Sequence, residues 1–299
     1  MTLSDLIDAS AQRLAAAGVA FGHGTTNAHD EAAWLVLWQL GLPLDTEIDT
    51  DALTPHEVTP TEAAEVAALV TQRITTRQPA AYLTREAWLQ GVPFYVDERA
   101  IVPRSFIAEL LADPQQEGTL DYWLSHATEQ VLDLCTGNGS LAVLAAMAYP
   151  DVLVDACDIS ADALAVARIN VSNHGLQQRI RLFESDGLAQ ASGPYDLILC
   201  NPPYVNSQSM AALPPEYQAE PVLALAGGAD GMDFIRQLLR DAPSRMTPNA
   251  VLVLEIGNER NHFELAFPAL AAVWLDTSAG EDQVLLLTRE ALAAALPPT

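Results

Sequence analysis

Two stretches hold residue types arranged for chemistry. In "DLCTGNGSLAVLAA", Asp133 precedes Gly137 and Gly139, which stand where an apolar strand pattern gives way to a helical one. Glycines at such a turn let the backbone bend sharply and approach a ligand closely, and the helix N-terminus favours a negative group. In "DLILCNPPYVNSQ", the apolar run Leu197, Ile198, Leu199, Cys200 leads into Asn201, Pro202, Pro203 and Tyr204. The Asn201 side-chain oxygen and the Pro202 carbonyl can accept both hydrogens of an NH2 group. The prolines stiffen the backbone and remove competing N–H donors. Tyr204 offers a ring to stack on a flat substrate. This is equipment for a planar nitrogen.

Acidic residues fall at two further strand ends. "DACDIS" puts Asp158 about 20 residues beyond the glycines, where a carboxylate accepts hydrogen bonds from both ribose hydroxyls. "ESDG" puts Asp186, followed by Gly187, where a carboxylate could meet an adenine amine. Read singly, the glycines are turn formers and Asp158 caps the next helix. Three acidic or glycine-rich strand ends in order make a nucleotide-like cofactor the better account. "GNGSLA" also fits the pattern of nicotinamide and flavin enzymes. The "NPPY" turn separates the two classes, because a rigid acceptor array across the crevice from the glycine loop serves nitrogen methylation and has no evident use in hydride transfer.

These residues need a frame, and the periodicity supplies one. Up to residue 84 the pattern is helical: "LSDLIDASAQRLAAAG", "NAHDEAAWLVLWQLG" and "TPTEAAEVAALVTQRITTRQP" each carry apolar residues at helix-face spacing or end at a glycine or proline. Residues 85–105 alternate on either side of a polar "DER", which predicts a hairpin linker turning there. From 106 to 299 the runs "EQVLDLC", "DVLVDACD", "RIRLFESD", "YDLILCNPP", "AVLVLEIG", "AVWLDTS" and "QVLLLTRE" read as strands, the first four alternating with helices. That order predicts a doubly wound α/β sheet with helices on both faces.

Composition restricts partners. The chain has 299 residues, 14 basic side chains, all arginine, against 39 acidic ones, and a formal charge of −25. A duplex is held through its phosphates by a positive surface, so no direct DNA binding is expected and a basic protein partner fits better. No leader pattern and no apolar run near the ~20 residues of a membrane span is found, so a cytoplasmic location without membrane contact is expected. Cys135, Cys157 and Cys200 sit in or beside apolar runs and read as reduced, buried thiols. The histidines, His23, His29, His56, His126, His174 and His262, lack metal-ligand spacing, and no metal site is expected.

With these residues in place, the chain resembles the class I S-adenosylmethionine-dependent methyltransferases, a Rossmann-like fold with a seven-stranded, mostly parallel sheet. "NPPY" is similar to members that modify exocyclic or amide nitrogens. The helical start, the linker "PAAYLTREAWLQGVPFYVDERAIVPRS" and "NPPYV" together resemble the protein-glutamine methyltransferases over nearly the full length. "FGHGTTNAHDEA", "VPRSFIAELL" and "DLCTGNGS" resemble the PrmB-type subgroup, whose target is ribosomal protein three of the large subunit. The release-factor subgroup reads differently, with PRP-x-T-E at the linker and a glycine at position 135; it and adenine-amine nucleic-acid methyltransferases are the alternatives. The resemblance implies S-adenosylmethionine as cofactor, held by Asp133, Cys135, Thr136, Gly137, Asn138, Gly139, Asp158, Asp186, Gly187 and Asn201. It implies a glutamine held by Asn201, Pro202, Pro203 and Tyr204, with Asn201, Pro202 and Tyr204 catalytic. Residues 1–84 would recognise the substrate, and Arg104 and Glu109 would border the pocket with no assigned role.

Overall fold

A computed structural model of the chain describes residues 1–48, 57–111, 119–125 and 127–295. Helices α1 (Leu3–Ala16), α2 (Ala28–Gln39), α3 (Pro60–Thr76) and α4 (Ala80–Thr84) come first. Thr2 and Thr59 start α1 and α3 through capping boxes with Asp5 and Glu62, and Asn27 caps α2. Pro79 ends the preceding run, but α4 restarts directly after it, a helix the sequence pattern did not suggest. These helices share one apolar cluster, which continues past residue 84 to Ala87, Val96 and Val102.

The linker hairpin pairs β1 (Ala87–Leu89) with β2 (Val92–Phe94), so its turn lies at Gln90 and Gly91 and not at "DER". Both turn residues have positive φ, 50° and 73°, as a two-residue hairpin turn matched to strand twist requires. The "DER" stretch instead folds around Asp97, whose carboxylate accepts from Tyr95 Oη at 2.8 Å and from Arg99 Nε and Nη2 at 2.8 and 2.6 Å. Burial would raise the Asp97 carboxyl, but these bonds override it and hold it at about 2.

A short helix α5 (Ile107–Leu110) leads into a seven-stranded sheet. Its strands are β3 (Gln130–Leu134), β4 (Leu153–Asp158), β5 (Ile180–Glu184), β6 (Tyr195–Cys200), β7 (Met246–Glu255), β8 (Val273–Thr277) and β9 (Gly280–Thr288), in the order β5-β4-β3-β6-β7-β9-β8. All neighbours are parallel up to β7, and β9 runs antiparallel between β7 and β8. Helices α6 (Ser140–Ala148) and α7 (Ala161–Asn173) make the β3-α6-β4-α7-β5 crossovers, and α8 (Ser207–Ala212), α9 (Pro215–Gln218), α10 (Asp233–Asp241), α11 (Arg260–Ala266) and α12 (Arg289–Ala295) follow. Between β5 and β6 the expected alternation fails, since no helix forms in residues 185–194. One apolar cluster packs α5 and α6 on one face, and a second packs α10 and α12 on the other, so both faces are covered as the near-continuous apolar strands require.

The order reverses at β3, with β4 and β5 to one side and β6 and β7 to the other. Ligands bind at such a switch point, outside the carboxyl ends of the strands. Register then does the positioning: Leu134 pairs with Cys157 on β4 and with Cys200 on β6. The residues just beyond, Cys135, Asp158 and Asn201, therefore leave the sheet side by side. Among the described residues no helix is long and apolar enough to cross a membrane. His56 and His126 lie outside the described residues.

Candidate active site

A cleft opens at this switch point. It is lined by Cys135 and Gly137 from the loop after β3, Asp158 after β4, Asp186 and Gly187 after β5, and Asn201 and Pro203 after β6. Arg99, Ile101, Leu223 and Phe234 close its sides. The sequence pattern brought these strand ends together in one place, and the structure does so.

The loop after β3 divides its residues between two faces. Gly137 has φ +56°, and a Cβ there would meet nothing within 4 Å, so the backbone presents an open cradle to the cleft. Gly139, at φ +82°, differs, because its Cβ would stand 3.1 Å from the Ala167 Cβ. It lets α6 start against α7 and faces away from the cleft. Thr136 and Asn138 are also buried behind the loop, Asn138 with its Oδ1 accepting from Ser140 N at 3.2 Å. Asp133 is fully buried under the same turn, and its Oδ2 accepts from Thr136 Oγ1 at 2.5 Å and from Ala142 N at 2.9 Å. Its Oδ1 has no hydrogen-bond partner among the described residues, and burial pushes the carboxyl up to about 7 against those two bonds. Asp133, Thr136, Asn138 and Gly139 thus shape the loop from within.

This division predicts different outcomes for the two glycines. Gly137→Ala should cost about 1 kcal/mol of stability for its left-handed backbone and place a methyl in the cleft, weakening ligand binding. Gly139→Ala carries the same backbone strain plus the contact with Ala167 and should lose more stability, as read by urea unfolding, with less direct effect on binding. Equal ligand affinity in Gly137→Ala and the parent would remove this cradle from the site.

Asp158 spans the base of the cleft, its Oδ2 accepting from Gly137 N and its Oδ1 from Ser160 N, both at 2.9 Å. The carboxylate ties β4 to the glycine loop and is raised by burial, against those backbone bonds. A carboxylate has about four lone-pair sites, so acceptor capacity remains. Cys135 is only partly buried, not wholly as expected, and its φ is +60°. A left-handed residue here is a physical reason for the glycine of the release-factor subgroup. Asp186 is exposed at the outer edge and Gly187 is buried beside Phe234.

On the opposite side, the Asn201 side chain and the Pro202 carbonyl make no hydrogen bond among the described residues, so their acceptor oxygens are uncommitted. Tyr204 is committed. Its hydroxyl donates to Glu255 Oε1 at 3.2 Å, and its ring lies on Gly257, where a Cβ would come within 2.5 Å of it. Glu255 is buried at the end of β7, and its Oε2 accepts from Ser105 Oγ at 2.6 Å and Phe106 N at 2.9 Å. Burial raises the Glu255 carboxyl and drives the Tyr204 hydroxyl well up. Tyr204 is therefore pinned from behind by β7 and by the linker.

Residues 119–214 match the Methyltransferase small domain family. The curated uL3 glutamine methyltransferase of Bordetella pertussis is 55% identical over 97% of this chain and 96% of its own. That of Burkholderia pseudomallei is 50% identical over 98% and 96%. The chain belongs to the ribosomal protein uL3 glutamine methyltransferase family. Among solved structures, the hMettl16 catalytic domain in complex with the MAT2A 3'UTR hairpin 1 is 13% identical with a TM-score of 0.51, covering 86% of this chain and 89% of that one. At that identity the likeness shows the fold, a class I methyltransferase.

The hydrogen bonds of the linker motif give it a context that sequence alone did not. Arg104 binds Glu220 with both Nη atoms, at 2.6 and 2.8 Å, Ser105 binds Glu255, and Glu109 accepts from Ser278 N and Oγ at 2.8 and 2.6 Å. None of the three lines the cleft. "VPRSFIAELL" thus fastens the linker to three separate parts of the sheet region. Glu255 escaped the sequence reading, although a carboxylate ending the apolar run "VLVLE" was a usable signal. Arg99, the one arginine of the cleft lining among the described residues, also escaped it.

Proposed function

We propose that this chain transfers a methyl group from S-adenosylmethionine to the side-chain amide nitrogen of a glutamine in ribosomal protein uL3. The uncommitted acceptor of Asn201, which lines the cleft with Gly137 and Asp158, and that of Pro202, the buried residue next to it, carry the chemistry. The protein target rests on relatives named for uL3 at 50% identity or more across nearly the whole chain. The cleft fits the cofactor, with an open backbone cradle at Gly137, an acceptor at Asp158 for ribose hydroxyls, and Asp186 at the outer rim for the adenine. Bound there, S-adenosylmethionine supplies an electrophilic methyl carbon.

The protein's own work is orientation. An amide lone pair is delocalised into its carbonyl, so the nitrogen is a poor nucleophile and must be held in line with the methyl carbon. Asn201 Oδ1 and the Pro202 carbonyl accept the two N–H bonds, fix that direction and stabilise the positive charge that grows on nitrogen. The amide is neutral, so no base acts before transfer, and the proton leaves afterwards. Tyr204, fixed by Glu255 and Gly257, holds the wall beside the turn. Helices α1–α4 serve substrate recognition in the cytoplasm, and the charge of −25 attracts a basic protein through complementary fields.

The test is transfer of a labelled methyl from S-adenosylmethionine to purified uL3, a peptide-chain release factor and DNA in parallel. Labelling of one glutamine in uL3 is expected, weakening as salt screens the charges beyond ~8 Å. Faster labelling of the release factor moves the chain to the sister subgroup. Adenine labelling, or calorimetric binding of NAD tighter than of S-adenosylmethionine, overturns the reading.

A further inference from the structure

Buried ion pairs outside the cleft converge on one short segment. Residues 214–221 follow the Asn201–Tyr204 turn and carry no motif, yet Glu216 and Glu220 are 1% and 3% exposed. Glu220 receives both Arg104 nitrogens, accepts from Val102 N at 2.9 Å and has His23 Nε2 at 3.4 Å. Burial alone would raise its carboxyl, but the Arg104 charge and the His23 contact override it and hold it at about 2. Glu216 takes Arg73 Nη1 at 3.3 Å and Arg77 Nη1 at 3.2 Å. Tyr217, between them, packs on the His23 ring at 4.3 Å and under the Arg104 guanidinium at 5.5 Å.

His23 and Arg104 come from "FGHGTTNAHDEA" and "VPRSFIAELL", the two stretches in which the resemblance to the PrmB-type subgroup lay. A buried ion pair is weak evidence for stability, since apolar side chains of the same volume hold a core as well. What a directional pair adds is register. The register delivered here is that of Val222 and Leu223, 62% and 58% exposed despite being apolar. Pro221, Leu223 and Ala224 line the cleft together with Asn201 and Pro203. Val205, next to Tyr204, donates its N–H to Leu225 O at 2.8 Å and accepts from Gly227 N at 2.9 Å. The apolar pair is thus laced to the reacting turn on one side and anchored through Glu220 on the other.

We propose that Val222 and Leu223 are specificity-determining residues that contact the polypeptide flanking the reacting glutamine, with Glu220, held by Arg104 and His23, as the positioning residue that sets them. An adjacent apolar pair at the mouth of a site is covered when an extended substrate enters, and that burial discriminates among proteins that present a glutamine equally well to Asn201. This deepens the uL3 reading and rests on it.

The experiment is steady-state kinetics of the full chain on uL3 at saturating S-adenosylmethionine, with calorimetry for cofactor affinity. Val222→Ser and Glu220→Gln should each raise KM for the protein by roughly tenfold or more, the scale of a lost interface anchor. Turnover and cofactor affinity should stay near the parent, and Val222→Ile should restore the parent KM. Unchanged KM in Val222→Ser overturns the proposal, as does cofactor affinity that weakens in step with KM, which would make the segment a cofactor lid. Should Glu220→Gln fail to fold, Val222→Ser, an exposed change, still decides. A parent that labels another protein overturns the uL3 reading alone, and the same comparison is then made on that protein. A parent that labels none overturns both.

Discussion

Replacing Asn201 with alanine is expected to lower turnover by about 10²–10³-fold, the usual effect of removing one preorganised polar group from a transition state. Its side chain supports no other described residue, so the loss should appear in catalysis and leave the unfolding midpoint nearly unchanged. Asn201→Asp keeps one acceptor oxygen in the same place and should retain part of the rate. Single-turnover methylation at saturating cofactor measures the chemical step without product release. Asn201→Ala reacting at the parent rate would show that the acceptor array at the end of β6 does not orient the amide.

Asn201 was legible because its position follows from a local pattern plus one topological rule. An apolar strand ends at Cys200, the sheet order reverses at β3, and parallel register puts position 201 beside positions 135 and 158. Gly137 and Asp158 were legible for the same reason. Gly139 stands in the same motif, but whether a glycine there serves a ligand or a neighbouring helix depends on Ala167, across the α6–α7 contact. The hairpin turn was misplaced because polarity drew attention to "DER", whereas backbone sign decides a two-residue turn and Gln90 with Gly91 supplies it. The partners of Arg104, Ser105 and Glu109 lie more than a hundred residues away. No spacing rule links such positions, so their function as fasteners of the linker emerges only in three dimensions.

Arg73→Ala should be among the most destabilising single changes in the chain, costing about 3–5 kcal/mol, because removing one partner leaves buried charge unpaired. Arg73 is 0% exposed, and its Nε and Nη2 donate to Glu31 Oε1 and Ala20 O, both at 2.9 Å, while Nη1 reaches Glu216. Glu216 keeps Arg77 in the variant. Among the described residues, the Glu31 carboxylate keeps only its 3.4 Å contact with Thr25. Burial already raises the Glu31 carboxyl against the pull of Arg73, and without the guanidinium its folded-state pKa must rise further. A carboxyl raised in the folded state binds its proton there while the unfolded chain releases it. The associated stability is present below the unfolded value, near 4.5, and is lost as pH rises through the folded value. The deficit of Arg73→Ala relative to the parent should therefore be largest at pH ~8 and shrink toward pH ~5, where Glu31 is neutralised more cheaply. Urea unfolding of both proteins at the two pH values measures it. A deficit under about 1 kcal/mol at the higher pH, the range of an exposed pair, or one that grows on acidification, would mean that Arg73 is not the counterion this buried carboxylate requires.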